Sequence, residues 1–154
     1  MLRARLNQAL AAAMKAKQPR RVSTIRLTLA AIKDRDIAAR TAGRGDGEGV
    51  SDDDILAILQ KMVKQRQESI GHYEEAGRVE LAQQEQEEID VINEFLPQQL
   101  SGEEMQAAVR EVLAETGARS IKDMGPTMAV LKERYAGRMN FAEAAAVLKK
   151  QLAG

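Results

Sequence analysis

Hydrophobic residues recur every three or four positions along most of the chain, which is the spacing of one face of an α-helix. The pattern predicts helices over about residues 2–17, 20–41, 52–75, 79–95 and 101–117, then from 126 and from 140 onward. No alternation of hydrophobic and polar residues persists long enough to indicate a β-strand. The sequence therefore predicts an all-α protein.

Prolines and serines mark where these helices are expected to begin and end. Ser51 and Ser101 each precede acidic residues in the pattern of a helix N-cap. Pro19 is expected to close the first helix. Pro126 is expected to be the first residue of the sixth helix, where its missing N–H costs no hydrogen bond.

Two interruptions divide the helical pattern further. Residues 43–49 contain four glycines, which predicts a flexible loop between the second and third helices. Pro97 separates the long helices from the shorter ones that follow. We therefore expect an N-terminal helical domain over 1–96 and a small C-terminal three-helix bundle over 97–154.

The formal net charge of zero conceals a gradient along the chain. Residues 1–42 carry ten basic and two acidic side chains, a net charge of +8, whereas residues 71–97 carry one basic and eight acidic side chains, a net charge of −7. Such asymmetry indicates either an anionic partner for the basic end or pairing of the two segments within the protein. Both interpretations stay open at this point.

Three charged residues fall on hydrophobic helix faces. At about 100° per residue, Arg66 lies about 20° from Leu59, within the hydrophobic stripe of the third helix. By the same measure, Glu85 and Glu88 lie about 40° and 20° from Leu81 on the fourth helix. A charge seldom occupies a buried face unless it is paired. We therefore predict that Arg66 bridges to Glu85 or Glu88, the alternative being a polar cluster that faces a partner.

A line of cations on the second helix is a candidate for binding nucleic acid. Arg26, Lys33 and Arg40 recur every seven residues and so drift only slowly around the helix. A solvated charged face is the commoner explanation of such a line. Only two Tyr, two Phe and no Trp are present, which argues against readout of RNA bases by stacking.

The composition excludes several kinds of chemistry. The chain has no cysteine and a single histidine, His72, so thiolate catalysis, thiolate metal sites and paired-histidine metal sites are excluded. We find no catalytic constellation and expect neither a cofactor nor a metal. No hydrophobic run approaches the roughly 20 residues needed to span a bilayer. We expect a cytoplasmic protein.

A further signal comes from several short stretches considered together. They are Ile25–Lys33, Leu59–Arg66, Tyr73–Ala82, Glu85–Glu88, Phe95–Leu100, Thr116–Ala118, Lys122–Gly125, Met128 and Gly137–Arg138. Each is weak alone, but they follow one order over nearly the whole chain. Together they resemble the GatB/YqeY family, specifically the free-standing YqeY-like proteins.

The resemblance implies a wholly helical fold and kinship with the tail of the B subunit of glutamine-dependent aminoacyl-tRNA amidotransferase, a carbon–nitrogen ligase with glutamine as amido donor. That tail is thought to hold tRNA while amide transfer happens elsewhere. The matching positions in its tRNA-facing stretch are Gly125, Met128, Lys132, Gly137 and Arg138. Alternatively, the glycines allow close helix packing and Met128 belongs to the core.

This chain departs from the family pattern at two places. Pro126 and Thr127 follow the first glycine, and Met139-Asn140 replaces a more usual small or acidic continuation after Gly137-Arg138. These departures weaken the implied contact between this stretch and RNA.

The sequence and the resemblance together predict an accessory protein that binds tRNA or other RNA and has no active site of its own. The residues expected to contact RNA are Arg26, Lys33, Gly125, Lys132, Gly137 and Arg138. The alternative is a protein–protein adaptor that docks to an amidotransferase, a synthetase or another translation-related enzyme. The oligomeric state does not follow from the sequence.

Overall fold

The computed structural model describes residues 1–43 and 49–153, and these residues form helices without any β-strand. The helices are α1 Leu2–Lys15, α2 Pro19–Thr41, α3 Asp52–Glu75, α4 Val79–Asn93, α5 Gly102–Thr116, α6 Met124–Arg134 and α7 Phe141–Ala153. The all-α prediction is confirmed. The loop predicted over 43–49 falls mostly on residues 44–48, which lie outside the described residues.

The two predicted serine caps are present. The Ser51 hydroxyl accepts a hydrogen bond from the Asp54 N–H at 3.2 Å, and the Asp54 carboxylate accepts one from the Ser51 N–H at 3.3 Å. Ser101 and Glu104 form the same reciprocal pair at 3.1 and 3.0 Å. Each capping box satisfies two backbone donors that have no acceptor inside the helix.

Two prolines lie at different helix positions from those predicted. Pro19 does not close α1, which already ends at Lys15, but is the first residue of α2. Pro126 is the third residue of α6, because the 3-10 turn Ile121–Asp123 leads directly into Met124. Both prolines lie in the first turn, where a backbone N–H has no intrahelical acceptor, so neither position loses a hydrogen bond.

The chain divides into two compact units, Met1–Leu96 and Pro97–Gly154, called here the N-terminal and C-terminal units. The N-terminal unit packs α1 to α4 around one hydrophobic core. Its fully buried members include Leu6, Ile25, Ile32, Ile55, Leu59 and Ile92. None of the helices in the described ranges is both long and hydrophobic enough to span a membrane.

The packed face of α2 is more polar than its hydrophobic spacing indicates, because that spacing predicts a buried stripe of Val22, Ile25, Leu29 and Ile32 with Ala30 and Ile37 alongside. Thr24 and Thr28 are buried, and their hydroxyls donate to the carbonyl oxygens of Arg20 and Thr24, each at 3.0 Å. A threonine satisfied in this way can face a core without an unpaired polar group. Ile37, predicted alongside the buried stripe, is instead exposed.

The C-terminal unit has a separate core formed by α5, α6 and α7. Its fully buried side chains include Val109, Val112, Leu131, Met139 and Leu148. Like Thr24 and Thr28, Thr127 is buried with its hydroxyl bonded to a backbone carbonyl: it donates to the Asp123 carbonyl at 2.8 Å. The three helices therefore bury hydrophobic surface while the polar group among them remains paired.

Candidate functional site

The structure brings Arg66 and Glu88 together where α3 and α4 pack. Arg66 Nε donates to Glu88 Oε2 at 2.8 Å, and Arg66 Nη1 donates to the Met62 carbonyl at 3.2 Å. The two charged side chains are only 14% and 26% exposed. Gly77, at φ +71°, makes the turn that reverses the chain between the two helices. The pair therefore lies at the interface of the α3–α4 hairpin.

Glu85 lies beside Arg66 and Glu88, in surroundings that disfavour its ionised form. Burial raises the pKa of Glu85 above its ordinary value, and the nearby charge of Glu88 raises it further, while Arg66 acts in the opposite direction. One guanidinium thus lies near two carboxylates, and it donates its side-chain hydrogen bond to Glu88. Among the residues described, no group of three or more Asp, Glu or His side chains is placed to hold a metal ion.

Part of the basic end of the chain pairs with acidic α4. Arg20 and Arg21, at the start of α2, form ion pairs with Glu87 and Glu94. Arg5 of α1 donates to the Glu94 carbonyl at 3.2 Å. The +8 and −7 segments are therefore partly neutralised inside the N-terminal unit.

A more buried pair links α1, α2 and the start of α3. Arg3 Nη1 and Nη2 donate to the two carboxylate oxygens of Asp36 at 2.9 and 2.6 Å, and the Val50 N–H donates to Asp36 Oδ1 at 2.8 Å. These hydrogen bonds, above all those from Arg3, hold the pKa of Asp36 below its ordinary value. Gly49, at φ +91°, passes so close that an added Cβ would lie 2.6 Å from Arg3 Nη2.

The line of cations predicted on α2 faces away from the core. Arg26, Lys33 and Arg40 are all exposed. In residues 1–43 and 49–153, neither Arg26 nor Lys33 has a carboxylate within ion-pair distance, and the Arg26 guanidinium instead lies 3.9 Å from Met14 Sδ. The structure thus separates two kinds of cation on α2: those paired with α4 and those available to a partner.

The predicted residues of the C-terminal unit occupy two different settings. Gly125 and Lys132 are exposed and, seven residues apart on α6, share one helix face. Nothing lies within 4 Å of the position that a Cβ of Gly125 would take, so close packing does not explain this glycine. Met128 is half-buried and packs against the C-terminal core, as its alternative interpretation expected.

Gly137 and Arg138 lie in the loop between α6 and α7. Gly137 is buried and has φ +74°, a conformation that favours glycine. Arg138 Nε donates to the Gln98 carbonyl at 3.1 Å, and its guanidinium lies 5.9 Å from the centre of the Tyr135 ring. These two residues therefore have structural roles in the loop, whatever they contact beyond it.

A groove that the sequence analysis did not anticipate lies where α1 turns into α2. Its volume is about 770 Å³. Half-exposed Met14 and Leu27, at 51% and 49% exposure, lie on opposite sides of the turn in sequence. The lining residues are Met14, Lys17, Gln18, Pro19, Val22, Ser23, Arg26 and Leu27. The available sequence signal was Leu27, a large hydrophobic residue outside the predicted buried stripe of α2.

Comparison with known proteins places the chain in a family. A protein of Schizosaccharomyces pombe described as uncharacterized is 29% identical over 100 residues, covering 65% of this chain and 76% of that protein. "Altered inheritance of mitochondria protein 41, mitochondrial" of Lachancea thermotolerans is 32% identical over 114 residues, covering 73% of this chain and 58% of that protein. The family profile described as "Yqey-like protein" matches residues 3–152. The chain belongs to the YqeY-like protein family.

Proposed function

We propose that this protein is an accessory RNA-binding protein, related to the tRNA-holding tail of the amidotransferase B subunit, and that a separate enzyme performs any chemistry. Its contribution is to bind tRNA or other RNA through the phosphate backbone. The few aromatic residues favour phosphate contacts over base stacking.

The observation that carries this proposal is the outer face of α6. Lys132 is exposed there without a carboxylate partner among the residues described. Gly125, seven residues earlier on the same helix face, leaves open space beside the backbone. A phosphate can approach a helix backbone closely where no side chain intervenes, while the lysine supplies the charge. Arg138 and Gly137 fix the loop that follows α6, and Arg26 and Lys33 offer a second cationic line on α2.

Binding of tRNA across a salt series tests the proposal. Phosphate contacts predict that affinity falls steeply with salt, and Lys132→Glu should reduce the slope of log affinity against log salt by about 1. Gly125→Val should weaken binding at every salt concentration by blocking close approach. Arg78→Glu is the matched control, because Arg78 is exposed within the acidic 71–97 segment.

Absence of tRNA binding even at low salt would reject RNA binding. Equal loss of affinity in Lys132→Glu and Arg78→Glu would reject the contact at α6, since that contact requires the two variants to differ. The proposed place of action is the cytoplasm, and cell fractionation checks it against the mitochondrial name of one relative.

The internal pairing of α2 with α4 favours a second candidate, a protein–protein adaptor. Arg20 and Arg21 are already engaged by Glu87 and Glu94, which reduces the charge that the basic end offers to RNA. An adaptor for an amidotransferase, a synthetase or another translation-related enzyme needs a surface for protein rather than phosphate. Recovery of a defined protein partner after nuclease treatment distinguishes this candidate from RNA binding.

A further inference from the structure

We propose that the groove at the α1–α2 turn is a docking site for an acidic amphipathic helix of a partner protein. This inference rests on the adaptor candidate and says where, and with what chemistry, the partner binds. It does not depend on RNA binding by the C-terminal unit.

The groove presents hydrophobic surface at the edge of the N-terminal core, against which half-buried Val22 packs. Met14 and Leu27 are each about half exposed, and Val22 and Pro19 complete the hydrophobic part of the lining. Methionine adapts its unbranched side chain to different partners and is common at surfaces that receive helices. A hydrophobic side chain inserted between Met14 and Leu27 would therefore remove surface on both partners from water.

The charge of the groove selects an acidic occupant. Lys17 and Arg26 are among the lining residues, and within residues 1–43 and 49–153 no carboxylate is. Lys33 is exposed two helical turns beyond Arg26. Asp34, next to Lys33, is also exposed and marks the end of this positive region. A helix with glutamates beside its hydrophobic stripe matches this arrangement.

The turn that forms one wall is fixed by backbone hydrogen bonds. The Gln18 N–H donates to the Ala13 carbonyl at 3.0 Å, and the Lys17 N–H donates to the Met14 carbonyl at 3.2 Å. Lys17 itself adopts φ +54°, which few residues other than glycine do. A wall that is already ordered loses little conformational entropy when a partner binds.

The lining favours a protein helix over nucleic acid. Among the described residues no aromatic side chain lines the groove, so it offers no surface for base stacking, and phosphates gain nothing from its hydrophobic walls. The helix-in-groove mode of recognition combines hydrophobic anchors with flanking charges, and both are present here.

Methionine-methyl NMR of the full-length chain tests the assignment directly. The probe is a synthetic helical peptide of about 18 residues, with leucines spaced every three or four positions and glutamates between them. We expect its titration to shift the Met14 methyl signal to saturation. The buried Met139 of the C-terminal unit, 1% exposed, should stay unchanged and serves as the internal control.

Variants of the lining test the residues that carry the site. Lys17→Glu combined with Arg26→Glu should weaken peptide binding by at least about tenfold, because both cations are reversed. Leu27→Ser should weaken it similarly by removing one hydrophobic wall. Arg35→Glu reverses one cation at an exposed site on the side of α2 opposite Arg26 and should leave binding unchanged; it is the matched control for Arg26→Glu alone.

Several outcomes would overturn the proposal. The first is equal binding of a peptide with lysine in place of glutamate. The second is a shift of the Met14 signal by tRNA or by phosphatidylserine vesicles instead of the peptide. The third is a Met14 signal that changes with protein concentration alone. A result that rejects the docking site is distinguishable from one that rejects the adaptor function. If a protein partner is recovered equally well by the wild type and Leu27→Ser, the adaptor survives and the groove does not.

Discussion

The N-terminal and C-terminal units treat their cations differently. In the N-terminal unit, Arg3, Arg20, Arg21 and Arg66 each pair with a carboxylate that lies outside their own helix. In the described part of the C-terminal unit, the recorded ion pair is Arg134 with Glu115, whose side chains are 40% and 46% exposed. Lys122, Lys132, Lys149 and Lys150 are exposed there without such a partner.

This difference shows that segment charge is a poor guide to available charge. Of the ten cations in the first 42 residues, Arg20 and Arg21 pair with Glu87 and Glu94, whereas the nearly balanced C-terminal unit keeps its lysines exposed. A net charge of zero therefore does not exclude binding of an anion. What matters is which cations the fold leaves without a carboxylate.

The largest expected effect compares the two cores. Leu59→Ala and Leu148→Ala each remove a fully buried side chain, one in each unit. Each should reduce the free energy of unfolding of its unit by about 2–5 kcal/mol, because a cavity adds to the lost transfer free energy. Hydrogen exchange of amides in α3 and α7 measures the two losses separately. A loss below about 1 kcal/mol in either unit would contradict a tightly packed core there.

The pair of Arg3 and Asp36 should make the N-terminal unit sensitive to acid. Since the folded protein holds the pKa of Asp36 below its ordinary value, the stabilisation is present above that ordinary value and is lost as pH falls through the folded one. Asp36→Asn should cost about 1.5–3 kcal/mol at neutral pH. Urea unfolding between pH 7 and pH 3 should show the difference between the two proteins shrinking on acidification. A constant difference would show that this carboxylate does not titrate as expected.

Neighbouring glutamates on α4 separate a partly buried ion pair from an exposed one. Glu88→Gln weakens the partner of Arg66, which is only 14% exposed, and should cost about 1–2 kcal/mol. Glu87→Gln makes the same change in the exposed pair with Arg20 and should cost less than about 0.5 kcal/mol. Thermal unfolding of the two variants side by side tests this order. Equal losses would mean that burial does not set the strength of these pairs.

The smallest expected effect has the opposite sign. Because burial raises the pKa of Glu85 in the folded protein, ionisation of this carboxyl opposes folding increasingly as pH rises from its ordinary pKa to the raised one. Glu85→Gln should therefore stabilise the protein at neutral pH, by at most about 0.5 kcal/mol. The gain should disappear in acid, where Glu85 is protonated. A destabilised Glu85→Gln protein at pH 7 would indicate that Arg66 needs both carboxylates.

Local features of the fold could be predicted from the sequence, whereas distant contacts could not. Helical periodicity and the serine caps depend on residues within one or two turns, and the structure contains them at the expected places. The pair of Arg66 and Glu88 was accessible because two charges interrupt hydrophobic stripes on adjacent helices. The pairing of Arg3 with Asp36 could not be predicted in this way, since the two residues are 33 positions apart and other charges lie near each of them.

The groove could not be predicted from the periodicity of hydrophobic residues. Helical spacing places Met14 on the same side of α1 as Leu6 and Leu10, but the structure leaves Met14 half exposed where α1 ends and the chain turns. Likewise, Gly125 is ambiguous in the sequence, because a glycine suits close packing and open space equally. Only the three-dimensional neighbours of each residue distinguish these possibilities.

The segment between Pro97 and α5 determines where an isolated C-terminal fragment should begin. The Leu100 N–H donates to the Arg138 carbonyl at 2.8 Å, and the Gln98 carbonyl accepts from Arg138 Nε. These residues precede the first helix of the C-terminal unit, yet they hold the loop that contains Gly137. An autonomous C-terminal fragment should therefore start at Pro97 rather than at Ser101. Starting at the helix cap would leave the α6–α7 loop without its anchor, although every helix would still be complete.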